Sequence, residues 1–340
     1  KTERLDVSVS REKKKLAVGI PVPQDEEQRI YVWFDALLNY MTAAGYGSDD
    51  ARFQTFWPAN LHLVGNDILK FHCALWPAMI MSAAKQDPLL RHSDGSPKLP
   101  QHVFAHGFYT LEGQKISKSL GNAIDPRDLA KQYPLDAIRY FLLREISLGS
   151  DGDFAWERLK ERYTSDLGNT FGNLLNRAIA MSKKYFEGAV PPRDDQAAPT
   201  SLQWGGQEAM THLVEAVEDA YRRGRPDEVL QMIWNGLGTE TSAGLLQANK
   251  YIEETQPFKL VKTDPVQTAR VLYDVLEACR VYAWLLAPII PATASRMLEQ
   301  LARIPEQEWS RGWTVGVAWG GLRAGEALGE PVPLFPRVEQ

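Results

Sequence analysis

Over the first third of the chain, apolar residues come in short runs broken by charged or turn-forming residues; beyond residue 122 they settle into helical spacing. The segment 6–22 joins Val7-Ser-Val-Ser to an apolar stretch through Arg11-Glu-Lys-Lys-Lys15, which predicts short extended pieces linked by a charged turn. Ile30-Tyr-Val-Trp-Phe34 predicts a buried strand, after which Asp35 is placed to cap a helix over 36–44 that stops at Gly45. A second strand at 61–65 runs through Asn66-Asp67 into a long apolar helix over 68–84. Pro77 should kink or restart that helix, because proline lacks the amide hydrogen a helix interior needs. A third strand at 102–108 leads into a Gly/Ser-rich loop. Strands alternating with helices at this spacing imply a parallel α/β sheet whose carboxyl edge carries the ligand.

After Asn122 the strand signal largely disappears. Asp125-Pro126 predicts the start of a short helix, 134–144 a second, and 156–186 a long one ending at Gly188. The polar, proline-bearing stretch 190–206 reads as a linker or long loop. Helices at about 207–223, 227–255 and 265–302 complete a bundle, with Pro288 and Pro291 breaking the last, and 331–336 packs back as an extended strap. The expected organisation is an α/β part over 1–122, a connector over 123–150 and a helical domain over 151–340, without internal repeats.

With 340 residues, 44% hydrophobic and 24% charged, the chain can bury a large core in two domains or so. The formal charge of −5 means that any nucleic-acid contact rests on local basic patches. Only Cys73 and Cys279 are present, far apart, so neither a disulfide framework nor a Cys-x-x-Cys zinc site is expected from this chain, and a reducing compartment fits. The chain has no uninterrupted apolar run of about 18 residues and opens on the charged Lys1-Thr-Glu-Arg, so the expectation is a soluble, cytoplasmic protein without a membrane partner.

Candidate chemistry concentrates in Lys115-Ile-Ser-Lys-Ser119. Two lysines three apart in a Gly/Ser-rich loop, after a strand and β-turn and before a helix start, suit a mobile clamp for polyphosphate. A bare Lys-x-Ser-Lys-Ser would serve equally as a solvated loop, but here the context from His106 to Asn122 resembles the Lys-Met-Ser-Lys-Ser signature of class I aminoacyl-tRNA synthetases. Its flanks are similar to the methionyl version, and Ile116 in place of Met keeps an apolar side chain of similar volume. The resemblance implies ATP with Mg²⁺ as the nucleotide, Lys118 as the main catalytic residue and Lys115 assisting it. It sets His106 and Gly107 against the ATP base and phosphates, with Ile116 backing the adenine.

Tyr31-Val-Trp-Phe-Asp-Ala-Leu-Leu-Asn-Tyr40 resembles the second strand-helix junction of the same family. A thioether is recognised best by rings and apolar walls, since sulfur bonds hydrogen weakly, and Trp33, Leu37 and Tyr40 are placed to supply them; as plain core residues they would look the same. Gly65-Asn-Asp-Ile-Leu-Lys-Phe-His-Cys-Ala-Leu-Trp76-Pro resembles the family's Gly-Lys-Asp-Ile…Phe-His…Trp-Pro. The resemblance implies that Gly65 and Asp67 meet the adenosine ribose and that Phe71, His72 and Trp76 close a pocket for L-methionine. Asn66 replaces the usual lysine, removing a positive charge near the nucleotide.

In the helical part, Asp136-Ala-Ile-Arg139 resembles the Asp-Ala-Leu-Arg pattern of class I synthetases and equally fits an i, i+3 surface ion pair. Gly172-Asn-Leu-Leu-Asn-Arg177 is similar to the family's anticodon-reading Asn-x-x-x-Arg, which implies that Asn173 and Arg177 bond the edges of unstacked anticodon bases. Phe258 replaces the family's stacking Trp, so weaker but surviving recognition of tRNA(Met) is implied.

Spanning about Leu5 to the tail, the resemblance implies a partial Rossmann-type parallel nucleotide-binding fold, a stem-contact connector and an α-helical anticodon-binding bundle. The implied activity is ATP-dependent formation of methionyl-adenylate and transfer to tRNA(Met), by a monomer. Neither a His-Ile-Gly-His-like element nor an inserted zinc knuckle occurs in the sequence, so a carboxyl-terminal portion is expected, with activity in isolation in question. Leucyl, isoleucyl, valyl and cysteinyl enzymes share the lysine signature, but Trp33, Tyr40, Phe71 and Trp76 argue against them. A non-catalytic tRNA-binding adaptor derived from a synthetase is the reading from a different class.

Overall fold

The computed structural model describes residues 8–116, 122–193, 204–239 and 241–337, with Lys115 described by its backbone alone. The chain divides into two compact units, Lys1–Phe108 and Tyr109–Gln340.

In the first unit, β1 (Ser10–Glu12), β2 (Pro21–Val22) and β3 (Asp25–Ile30) form an antiparallel sheet in the order β1-β3-β2; two short extended pieces were expected over 6–22, but β3, the strand both pair with, was not. The strand expected over 30–34 is corrected: Ile30 ends β3, Tyr31 is the N-cap, and α1 (Val32–Ala44) begins at once. A five-residue apolar run fits a buried strand or the first turn of a helix equally well, and periodicity alone cannot separate them. Asp35 consequently lies inside the first turn, where its charge complements the positive helix end, instead of capping it. Gly45 ends the helix as expected.

After α2 (Asp50–Phe56), β4 (Leu61–Gly65) pairs in parallel with β5 (His102–His106), Gly65 standing opposite His106. The crossover contains a 3₁₀ turn at Asn66–Ile68, a π-helical turn at Phe71–Leu75 and α3 (Trp76–Ala83). Pro77 sits in the first turn of α3, where no intrahelical bond is lost, so the helix restarts there. Leu37, Met41, Phe53, Trp57, Trp76, Ile80 and Leu90 make the core. Along β4, His62 and Val64 are buried while Leu61 and Leu63 are 51% and 62% exposed.

The second unit opens with the hairpin of β6 (Tyr109–Leu111) and β7 (Gln114–Lys115). A further strand, β8 (Gly152–Phe154), lies parallel to β6; three residues are too few to leave a readable alternation, and the expectation of no strands there is corrected. Helices follow: α4 (Pro126–Gln132), capped by the Asp125 carboxylate, α5 (Leu135–Arg144), and α6 (Trp156–Glu161). The chain then continues through a π-helical stretch, Arg162–Gly172, into α7 (Asn173–Tyr185). Of the expected linker over 190–206, residues 194–203 lie outside the described ones, and Val190 and Trp204 on either side are buried.

Beyond it come α8 (Gly206–Arg222), α9 (Pro226–Asn235), α10 (Leu245–Thr255) and α11 (Pro257–Leu260). A single helix over 227–255 is therefore corrected to two. Gly236 turns at φ +76°, and a β-carbon there would meet the Ser242 hydroxyl at 1.8 Å, so the chain folds back on itself instead of continuing. α12 (Pro265–Leu286) and α13 (Pro291–Gln300) separate at Pro288 and Pro291 as expected, and the short α14 (Pro305–Ser310) and α15 (Trp313–Gly316) follow. The strap packs back: Leu334 and Phe335 are buried, and the Tyr163 hydroxyl donates to the Pro336 carbonyl at 2.6 Å. No described helix is long and apolar enough to cross a membrane.

Candidate functional site

α1, β4 and the π turn bring one set of rings together in the first unit. Trp33 stacks on Phe71 with centroids 5.0 Å apart and planes at 13°, and the Lys70 ammonium lies 5.1 Å from the Phe71 ring centre. One turn further along α1, buried Leu37 joins the core that contains Trp76. Tyr40 then reaches three rings: His62 at 4.3 Å, His72 at 5.6 Å and Trp76 at 6.1 Å. All six residues expected to line the apolar pocket thus converge in this unit.

Hydrogen bonds fix the polar edge of that cluster. His72 Nδ1 lies 3.0 Å from the Ile68 carbonyl, an acceptor, so Nδ1 carries the proton and Nε2 is left as an acceptor for the Tyr40 hydroxyl at 2.8 Å. Burial raises the Tyr40 pKa above its ordinary value, which keeps the phenol protonated and donating. The indole Nε1–H of buried Trp76 donates to His62 Nε2 at 3.2 Å. Burial first, and then the nearby His72, push the His62 pKa down, favouring a neutral ring with its Nε2 lone pair free to accept.

At the carboxyl edge of the parallel pair, Gly65 and His106 face each other across the ladder. A β-carbon on Gly65 would stand 2.8 Å from Asp67 Oδ1 and 3.1 Å from the Phe108 ring, so only glycine lets the carboxylate and the ring close on the strand end. His106 Nδ1 lies 2.9 Å from the Gly107 carbonyl. In the second unit, Lys115 ends β7 and Ile116 follows it, half-buried. Lys118, the residue expected to carry most of the catalysis, lies outside the described residues.

Asn173, exposed, begins α7 directly after the π-helical stretch, and half-buried Arg177 stands one turn on. Asn249 ties that stretch down by donating to the Thr170 carbonyl at 2.9 Å. Asn173 lines a small cavity of about 230 Å³ that shares Gly168, Asn169, Pro333 and Phe335 with a groove of about 1000 Å³. The larger groove adds Tyr133 and Tyr163 as rings and Lys131, Lys160 and Arg337 as cations. Phe258, near the start of α11, is 46% exposed with the Lys259 ammonium 5.8 Å from its ring centre. The rings, amides and cations lining the groove suit unstacked bases and a phosphate backbone.

Residues 2–179 match the family model of class I (M) tRNA synthetases, and 238–340 match the anticodon-binding domain of methionyl-tRNA ligase. The chain belongs to the class I methionyl-tRNA synthetase family. It is 40% identical over 341 residues to the methionine–tRNA ligase of Thermotoga maritima, covering 98% of this chain and 49% of that protein. With the Rickettsia felis methionine–tRNA ligase it shares 40% identity over 334 residues, covering 98% of this chain and 60% of the relative. The Mycobacterium tuberculosis methionyl-tRNA synthetase in complex with methionyl-adenylate superposes with a TM-score of 0.79 at 34% identity, covering 98% of this chain and 60% of that one. The chain therefore spans about half to three-fifths of the length of these relatives.

Within this member of the methionyl-tRNA synthetase family, sequence reasoning misses His62. Its signal was available: His62 shares the inward phase of β4 with Val64, so an imidazole replaces an apolar side chain at a buried strand position. The Asp136–Arg139 motif also proves different from a surface ion pair. Asp136 accepts from the Thr293 amide at 2.6 Å at the start of α13, and Arg139 donates to the Ile289 carbonyl at 2.6 Å and the Pro288 carbonyl at 3.0 Å. The motif clamps α5 to the α12–α13 corner.

Proposed function

We propose that this chain supplies the methionine pocket, the ATP-clamping lysine loop and the tRNA-reading helices of a methionine–tRNA ligase. The reading rests above all on one observation: in a member of this family, Trp33, Leu37, Tyr40, Phe71, His72 and Trp76 converge into a ring-lined cluster in which Tyr40 bonds His72 and Trp76 bonds His62. Such a lining offers a thioether polarisable contacts and presents it with little competing polarity. In this reading residues 1–122 carry the catalytic part, 123–150 the connector and 151–340 the anticodon-binding part.

The carboxylate of bound methionine attacks the α-phosphorus of ATP; the new C–O–P bond forms as the bond to the pyrophosphate oxygen breaks. A ribose hydroxyl at the tRNA end then attacks the activated carbonyl and releases AMP. Gly65 and Asp67 hold the ribose, and His106, Gly107 and Ile116 flank the base and phosphates. Negative charge grows on the bridging oxygen in the first step, and the Lys118 ammonium, assisted by Lys115, stabilises that charge more in the transition state than in the ground state. Mg²⁺ accompanies the phosphates, as an ion that keeps most of its waters and needs few protein ligands. Asn173 and Arg177 bond anticodon edges and Phe258 stacks on a base.

The test is Lys118→Ala in a catalytically competent protein bearing this sequence. ATP–pyrophosphate exchange should fall about 10²–10³-fold, the scale of losing one preorganised electrostatic contact, while methionine binding persists. Exchange at the wild-type rate sinks the assignment.

A further inference from the structure

We infer that His62 is a positioning residue for methionine recognition: through Nε2 it holds the Trp76 indole, and through its ring face it seats Tyr40, setting two walls of the pocket. The inference rests on the pocket reading above and extends it to a residue that lies behind the walls.

Trp76 is fully buried, and its indole nitrogen is a donor with nothing to accept, so it must find an acceptor inside the unit. His62 Nε2 provides one at 3.2 Å. Acceptance there requires the neutral tautomer protonated at Nδ1, since an imidazolium would set two donors against each other. Burial, which leaves His62 5% exposed, favours that neutral form. The same ring packs 4.3 Å from Tyr40, whose hydroxyl is committed to His72, and lies 5.8 Å from the His72 ring. His62 therefore touches Trp76 and Tyr40 and neighbours His72, tying α1, the π turn and α3 to β4.

An apolar residue of similar volume would fill the site but strand the indole N–H, which is costly in a buried place and is relieved by moving the indole. Glutamine keeps an acceptor at comparable reach. Filling alone and acceptance can thus be separated by two variants, H62L and H62Q.

The experiment titrates the folded chain with L-methionine by calorimetry and follows the Trp76 indole ¹⁵N–H resonance. His62→Leu should weaken methionine binding about tenfold and shift the indole resonance, whereas His62→Gln should bind within about threefold of wild type with the resonance near its original position. If His62→Leu does not fold, His62→Phe takes its place, keeping a ring of similar size against Tyr40 without an acceptor: a loss of methionine affinity of about tenfold with a shifted indole resonance supports the inference, and wild-type affinity overturns it. Wild-type affinity in His62→Leu, or a His62→Gln as weak as a mere packing defect, overturns the inference and leaves the pocket reading standing. Failure of the folded wild-type chain to bind methionine at all removes both.

Discussion

In the second unit α12 buries seventeen of its 22 residues and anchors a large core that runs from Ala137 to Phe335, whereas in the first unit α1 buries two of 13 and the core is a small cluster of aliphatic side chains and rings around Trp76. The second unit also buries charge: Arg280 and Glu277, both fully enclosed, bond at 2.7 Å, and Glu277 further accepts from the amides of Gly320, Gly321 and Leu322. The first unit buries instead the imidazoles of His62 and His72, each hydrogen-bonded to a neighbouring ring. A large core tolerates a rigid, fully satisfied ionic lock, while the first unit's small core holds its polar side chains by single hydrogen bonds between rings.

The comparison breaks most sharply at Arg280. Arg280→Met leaves Glu277 as a buried carboxylate without its cation and frees the carbonyls of Gly316 and Ala318, so the second unit should lose about 3–5 kcal/mol in urea unfolding. Loss under about 1 kcal/mol would show that the network is solvated and that the contrast between the units is false. A smaller effect is expected at the proposed tRNA-reading face of the second unit. Arg177→Ala should raise the Kd for tRNA(Met) about tenfold to a hundredfold by removing a charged hydrogen-bond donor. Methionine affinity should stay unchanged. Equal tRNA binding by the variant refutes the reading of α7.

How much of this was legible beforehand differs between the same two regions. Residues 156–186, with their helical spacing and Gly188 stop, announced α6, the π-helical stretch and α7, and the prolines at 288 and 291 announced the α12–α13 corner. The π-helical register itself was not anticipated, because the whole of 156–186 was read with a single helical period. In the first unit the charged β3 was invisible and Val32 to Phe34 changed from strand to helix, since short segments there are decided by pairing across the chain. The clustering of Trp33, Tyr40, Phe71, His72 and Trp76 was anticipated through the resemblance of their motifs to the family's. His62 was passed over: its inward phase on β4 marked it as buried, but its bond to Trp76, fourteen positions away, leaves no mark in the local pattern.

The mildest test uses one residue type in both regions. Leu276 on α12 is fully buried, whereas Leu63 on β4 is 62% exposed although it sits in a parallel strand, where both faces are ordinarily covered. Leu276→Ala removes methylene groups from a filled interior and leaves a cavity, so it should cost about 2–5 kcal/mol. Leu63→Ser removes a side chain that already meets water, and the transfer gain lost is small, so unfolding of the first unit should move by less than about 0.5 kcal/mol. Paired urea titrations of the two variants check this directly. A Leu63→Ser cost approaching that of Leu276→Ala would mean that this face of β4 is covered in solution, by a second copy or by further chain, and that the first unit's thin core is only part of the surface it buries.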